Sequence, residues 1–237
     1  MIRFYAPDIE HTQALPECES AHAVRVLRKH AGDEIEVIDG LGGLYRCRLL
    51  TEHAKSAALE IIERRELPKV WKPAICLAVA PTKHNDRMEW LLEKAVEIGI
   101  DSFVPVLTAR SERKQINVER LEKIAVSAMK QSLKAVLPRI FPMTPLKDFL
   151  AQTSAGSQNF VGWCDAESER KLLAKTCRPM LDTNILIGPE GDFTSDEIDS
   201  CLRAGYIAVT MGDNRLRTET AALVGIDTIH IINQAFS

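Results

Sequence analysis

Apolar and polar side chains alternate strictly in "EIEVIDGLGGLYRCRLL", from Glu34, with a break at Gly40, Gly42 and Gly43. A period of two around a glycine-rich turn predicts a β-hairpin. "SAALEIIERRE" predicts a further strand with Leu59, Ile61 and Ile62 inward, and "ESAHAVRVLRKHAGD" predicts a short helix capped by Ser20. "ELPKVWKPAI", with Pro68 and Pro73 around Trp71, reads as a linker. Beyond it the period changes. "AICLAVA" is a short continuous apolar run, as in a strand buried on both faces. "DRMEWLLEKAVEIGI" has helical spacing, with Met88, Leu91, Leu92, Ala95 and Ile98 on one side and Gly99 as the stop. "SFVPVLT" is the next strand, and "NVERLEKIAVSAMKQSLKAV" a long helix capped by Asn117 with Arg120 and Lys123 exposed.

The remaining segments keep the same rhythm. "NFVGWCD" predicts a strand and "ESERKLLAKTCRPML" a helix up to Pro179. "NILIGPEG" predicts a strand entering a turn. "TSDEIDSCLRAG" predicts a helix in which Thr194 and Glu197 have capping-box spacing. "YIAVTMG" is a last strand, before a helix starting near Thr218, whose Leu223, Val224, Ile229 and Ile232 are mostly core. Strands alternating with helices predict an α/β fold with a mainly parallel sheet. The expected domains are a small β-rich module over 1–70 and an α/β domain over 73–237.

Composition narrows the function classes. The net charge is −3 across 237 residues, so an RNA partner would have to be held by local patches. Six cysteines lie far apart, with no CxxC pair and no zinc spacing, which predicts buried free thiols in a reducing cytoplasm and no metal site. "MIRFYAPDIEH" lacks the apolar core of a signal peptide, and no apolar run approaches the ~20 residues of a membrane span, so neither secretion nor a membrane is expected.

Two loops carry candidate chemistry. In "IGPEGDF", Gly188 and Gly191 follow an apolar strand, permit positive φ and bare backbone, and suit either a small-molecule pocket or a tight strand-to-helix turn. The loop has neither Walker nor GxGxxG spacing. "MGDNRLRTETA" repeats the design after the next strand, and two such loops can face each other across one cleft. There Thr218 and Thr220 can cap the helix while Arg217 and Glu219 point outward, toward a substrate or toward each other as an ion pair. Basic side chains cluster locally: Lys83, Arg87 and Lys94 on or before one helix; Arg110, Ser111, Arg113 and Lys114 after a strand; Lys123, Lys130, Lys134 and Arg139 on and beyond the long helix. In the first module Arg25 and Arg28, three apart, share a helix face. These groups read as solvated faces or as contacts to a phosphate backbone.

Taken together, "HAVRVLR…GDEIEVIDGLGGLY", "KHNDRMEWLLEKAVEIGI", "ARSERK", "IGPEGDFTSDE" and "MGDNRLRTETA" resemble the bacterial 16S ribosomal RNA uridine-N3 methyltransferases, within the SPOUT superfamily of knotted methyltransferases. The resemblance covers nearly the whole chain. It implies a PUA-like RNA-binding β-barrel, then a SPOUT domain with a deep trefoil knot. It also implies S-adenosylmethionine as cofactor, a homodimer, and methylation of a uridine in the decoding region of the small ribosomal subunit. Carried over by position, the cofactor pocket is Ile187, Gly188, Pro189, Glu190 and Gly191, facing Met211, Gly212, Leu216, Arg217, Thr218, Thr220 and Ala221. The RNA-facing set is Arg25, Arg28, Lys83, Arg87, Lys94, Arg110, Ser111, Arg113 and Lys134. Arg217 or Arg110 would place positive charge near the uracil oxygens, and Glu219 would accept the N3 proton or orient Arg217. The chain departs from the family pattern at Asp192, where members often have glycine, and at Lys130 and Lys134, where they often have glutamate and then arginine. The alternative is an inactive RNA-binding or ribosome-assembly factor on the same fold.

Overall fold

The computed structural model describes residues 2–153, 156–163 and 171–236. Cys164 and Asp165 of the expected strand "NFVGWCD" and residues 167–170 of the expected helix to Pro179 lie outside the described residues. The contacts divide the chain into two units, Met1–Val70 with Val126–Leu137, and Trp71–Ala125 with Pro138–Ser237.

The first unit opens with strand β1 (Arg3–Tyr5) and helices α1 (Ile9–Thr12) and α2 (Glu17–Ala21), the latter running into a π-helical turn at His22–Val26. Strands β2 (Glu34–Ile38), β3 (Gly43–Leu49) and β4 (Leu59–Glu66) complete a sheet ordered β1-β2-β3-β4. The β2–β3 hairpin has the predicted antiparallel register, Ile35 opposite Cys47 and Val37 opposite Tyr45. Its turn is held by Asp39, whose carboxylate accepts the Leu41 and Gly43 N–H groups. Between β3 and β4 the register slips at Arg46/Cys47, leaving Ile62 the extra residue of a bulge. That is why Ile61 and Ile62 are both half-buried despite adjacent positions. Phe4, Leu15, Val37, Tyr45, Cys47 and Leu59 form the core.

Ser20 does not cap a helix. It is buried inside α2, where its hydroxyl donates to Leu15 O and accepts the Ala57 N–H. The helix starts after Pro16, four residues earlier than a cap at Ser20 suggests. Arg25 and Arg28 do not share a helical face either, because Arg25 sits in the π turn and Arg28 beyond it in the left-handed region at φ 53°. The segment 126–137, which pattern places in the second domain, returns to the first unit. There the Gly42 N–H donates to Ala135 O and the Leu137 N–H to Gly40 O.

The second unit holds β5 (Ile75–Val79), α3 (Asn85–Ile98), β6 (Ser102–Leu107) and the start of α4 (Val118–Gln131). Then follow β7 (Arg139–Ile140), β8 (Thr144–Pro145), α5 (Leu146–Ala151), β9 (Gln158–Gly162), β10 (Lys171–Leu172) and α6 (Leu173–Thr176). The chain ends with β11 (Thr183–Ile187), α7 (Ser195–Arg203), β12 (Ile207–Thr210) and α8 (Thr218–Ala235). The sheet runs β10-β12-β9-β11-β5-β6-β7 with β8 beside β6, and its pairings are parallel as predicted. The caps at Asn117 and Thr194 form as the sequence suggests. The α3 stripe is Met88, Leu91, Leu92, Ala95 and Val96, so Val96 replaces Ile98. In α8, Ala222, Gly225, Ile226 and Ile229 are buried, whereas Leu223, Val224 and Ile232 are only half-buried. Gly225 lets α8 lie against the sheet, since a Cβ there would come within 2.4 Å of Ile185 Cδ1.

Among the described residues, Cys47, Cys177 and Cys201 are buried and Cys76 half-buried, but Cys18 is exposed, contrary to the expected burial of every thiol. No group of three or more metal-binding side chains occurs among them, and no helix is long and apolar enough to cross a membrane.

Candidate active site

β12, β9 and β11 are neighbours, so the loops leaving their C-terminal ends emerge side by side. Those ends are where open α/β sheets present ligands. Between the loops lies a cavity of about 550 Å³, within the usual range for small-molecule sites. Ile187 through Gly191 form one wall, and Met211, Leu216, Arg217, Thr218 and Ala221 the other. These ten predicted residues are brought together by sheet order, although 20 residues of chain or more separate the two walls. Gly212 and Thr220 are not on the wall.

Each loop is shaped locally. Gly188 has no positive φ; it is needed because a Cβ would come within 2.7 Å of the Phe193 ring. Gly191 also lacks a positive φ. The left-handed residue is Asp192, at φ 60°, a region that aspartate enters more readily than most residues. Its N–H donates to Pro189 O and its Oδ1 accepts the Phe193 N–H. In the second loop Gly212 does take a positive φ, 137°, and Thr210 Oγ1 donates to its carbonyl.

Thr218 is not a cap. Arg217 occupies the N-cap position without a side-chain hydrogen bond, and the Thr218 hydroxyl instead donates to Gly188 O at 3.1 Å, stitching the two loops together. Glu219 does not point outward: it is 6% exposed, and its Oε2 has no hydrogen-bond partner among the described residues. Its ion partner is Arg87 rather than Arg217, with Nε 3.8 Å from Oε1. Arg87 also approaches Glu190, Nη1 to Oε1 at 3.7 Å, and lines the cavity. Pattern groups Arg87 with RNA contacts because its carboxylate partners are 103 and 132 positions downstream by subtraction of their numbers.

Arg110 is also placed differently from its expected role at the base. Its Nη1 donates to Gly191 O at 2.9 Å and to Phe193 O at 3.3 Å, bracing the first loop from outside the cavity. Ser111 is buried and its hydroxyl is held by Thr108, so it offers no phosphate donor. Lys94 is clamped by Glu93 and Glu97, each at 2.7 Å. The basic face expected on α4 is largely paired: Lys123 with Glu119, Lys130 with Glu19, and Arg120 with Glu89. Lys83, Arg113 and Lys114 line a second, open hollow of about 570 Å³. In the first unit Arg25 and Arg28 are exposed, and Lys134 is half-buried.

Sequence reasoning missed Gly162, Trp163, Asn214 and Arg215 on the wall. Gly162 had a signal, a glycine closing an apolar strand. A Cβ there would meet Ile187 Cδ1 at 2.8 Å and Met211 Cε at 3.2 Å, so its absence lets the two loops' side chains meet over β9.

Comparison with known proteins decides what such a site belongs to. Residues 70–230 match the RNA methyltransferase domain family, and residues 15–62 the RNA methyltransferase PUA domain. The ribosomal RNA small subunit methyltransferase E of Synechocystis is 30% identical over 94% of this chain and 74% of its own length. The chain belongs to the ribosomal RNA small subunit methyltransferase E family. The Rickettsia conorii member is 27% identical, over 87% of this chain and 84% of its own. Among solved structures, a probable rRNA-methyltransferase from Porphyromonas gingivalis is 42% identical, with TM-score 0.95 and both chains fully covered. The family member from Neisseria gonorrhoeae, solved bound to S-adenosyl methionine, is 27% identical with TM-score 0.87, covering 98% of each chain. The cavity lies wholly within the methyltransferase match, and Arg25 and Arg28 lie within the PUA match.

Proposed function

We propose that this chain methylates N3 of a uridine in the decoding region of 16S ribosomal RNA, using S-adenosylmethionine. The observation that carries the reading is the single cavity formed where the two glycine-bearing loops meet. Its wall fits such a donor: apolar Ile187, Val209, Met211 and Leu216 suit a purine face, and the loops' backbone beside Gly188 and Gly191 suits its polar edges. When bound, S-adenosylmethionine supplies a methyl group on a sulfonium, a leaving group that needs little activation.

The protein's work falls on the acceptor. Uracil N3 carries a proton between two carbonyls and becomes nucleophilic as that proton leaves. The chain must hold the base out of any stack, place N3 against the methyl carbon, and stabilise the charge left on the ring. Arg217, exposed on the cavity wall, is placed to meet that charge or to hold the donor. Arg110 and Thr218 act one step back by fixing the loops.

The domain assignment completes the proposal. Residues 1–70, joined by 126–137, form a PUA-like RNA-binding barrel that presents Arg25 and Arg28, and the rest of 73–237 a SPOUT domain with a trefoil knot. The match to a PUA family supports the first, and the order β12-β9-β11-β5 with methyltransferase neighbours supports the second. The exposed Ile231 and Phe236 on and just after α8 suit a homodimer contact. The enzyme works on the small subunit in the cytoplasm.

Labelled donor mixed with protein and small-subunit RNA tests the reading. Transfer to one uridine, mapped in the RNA, is the expected result. Bound donor without transfer would return the chain to the assembly-factor class, and no bound donor would sink the cavity assignment.

A further inference from the structure

Among the described residues, every other charged group on the cavity wall comes from the loops after β11 and β12, and Arg87 from α3. It stands between two carboxylates, Glu190 in the first loop and Glu219 in the first turn of α8. At 3.7 and 3.8 Å both separations are ion pairs too long for hydrogen bonds, so the guanidinium N–H groups are not used up. Glu219 is buried and its Oε2 is unpartnered among the described residues. A buried carboxylate is costly unless a cation faces it, and Arg87 is the cation that does. The α8 dipole favours negative charge at that position.

Arg87 is also linked outward. The Lys83 N–H donates to Glu190 Oε2 at 3.3 Å, and Arg113 Nη2 donates to the Lys83 carbonyl at 2.7 Å. A chain of contacts thus runs Glu219–Arg87–Glu190–Lys83–Arg113, from the cavity to the open hollow of Lys83, Glu112, Arg113 and Lys114, where Lys83 Nζ pairs with Glu112 at 3.2 Å.

We propose that Arg87 is a catalytic residue for the acceptor half of the reaction, with Glu219 and Glu190 as its positioning residues. This rests on the uridine reading above. The N3–H bond breaks and the proton passes to solvent water. The electron pair stays on the ring, shared with the two carbonyl oxygens, and the Arg87 guanidinium meets that charge until the pair forms the new N–C bond, as the methyl–sulfur bond breaks and its electron pair leaves on the donor sulfur as a neutral thioether. Arg110 differs from Arg87 in its placement: its Nη1 is committed to loop carbonyls and it does not line the cavity.

The test uses Arg87→Gln, Arg87→Lys, Glu219→Gln and the double variant Arg87→Gln/Glu219→Gln. The readouts are donor affinity by calorimetry, single-turnover transfer against pH, and the melting temperature of ligand-free protein. Arg87→Gln should leave donor affinity within about threefold and slow transfer at neutral pH by roughly 100-fold, as for loss of one preorganised donor. The deficit should shrink as pH rises, because solvent then ionises the base unaided, and Arg87→Lys should recover part of the rate. In ligand-free protein Arg87→Gln should lower the melting temperature, and adding Glu219→Gln should restore part of it. A loss of donor affinity with the saturated rate intact would move Arg87 to the donor and overturn the proposal. A rate deficit constant across pH would reduce Arg87 to a structural role and also overturn it. Failure of the wild-type chain to bind donor at all would instead overturn the cavity reading beneath it.

Discussion

Gly188 and Gly191 stand three residues apart in one loop, yet a methyl group on each meets different surroundings. At Gly188 it would press on the buried Phe193 ring at 2.7 Å; at Gly191 it would touch Arg110 at an ordinary 3.6 Å. Gly188→Ala should therefore cost about 1–3 kcal/mol by overpacking and weaken donor binding at least tenfold. Gly191→Ala should stay within about 0.5 kcal/mol of the parent, as surface changes usually do. Urea unfolding and donor titration of the two variants side by side check this, and equal effects would refute it. Thr218→Val removes a buried hydroxyl that joins the loops and strands the Gly188 carbonyl, at about 1–3 kcal/mol. Arg217→Ala sorts donor from acceptor: intact donor binding with lost transfer gives Arg217 an acceptor role, and lost binding places it on the donor. Residue types and spacings were enough to nominate both loops. What each glycine is for was not readable, because the reason lies in a ring five residues later or in a side chain from another strand.

Helices with their own start signals follow pattern closely. Thr194 and Glu197 cap α7 reciprocally, Thr194 Oγ1 accepting the Glu197 N–H and Glu197 Oε2 the Thr194 N–H. The same Glu197 also accepts the Ala109 N–H through Oε1 at 2.7 Å, tying α7 to the β6 loop. Thr194→Ala should thus cost about 1 kcal/mol, whereas Glu197→Ala should cost more because it frees two donors. Chemical denaturation that ranks them in the reverse order would contradict this account. Where competing signals lie close together, local reading fails. Ser20 looks like a cap, but a hydroxyl serving two distant backbone groups contributes more than one serving a helix end, so α2 begins elsewhere. Thr218 fails as a cap because its hydroxyl donates instead to a distant carbonyl, Gly188 O. Gly99 stops α3 as expected, and its position is doubly constrained: φ is 132°, and a Cβ would fall 2.8 Å from the Trp71 ring.

At the scale of the molecule, burial makes both units sensitive to alkali. It pushes the Cys47 thiol of the first unit from 9.0 up to about 11. Burial, then the nearby Glu197 charge, pushes Cys201 of the second from 9.0 up to about 12. A thiol whose folded pKa exceeds its unfolded one favours the folded state fully below pH 9, and that contribution is lost as pH rises through the folded value. Stability should therefore be level up to about pH 9 and fall toward pH 11–12, measured as the urea midpoint against pH. At pH 8.5 exposed Cys18 should react with iodoacetamide while Cys47 and Cys201 do not.

The sequence by itself determined the alternation of strands and helices, the parallel class of the large sheet, the hairpin of the small one, and both loops of the site. Those features rest on side-chain period and on residues a few positions apart, which local sterics and capping govern. Only the tertiary structure decided that β9 separates β11 from β12, which sets the width of the cavity. It alone returned 126–137 to the first unit, paired Lys83, Arg87, Lys94, Lys123 and Lys130 with carboxylates, and gave Glu219 to Arg87 rather than Arg217. The physical reason is shared. Long charged side chains choose partners by distance in space, and burial of Glu219 required a cation that only the packing of α3 against α8 could bring.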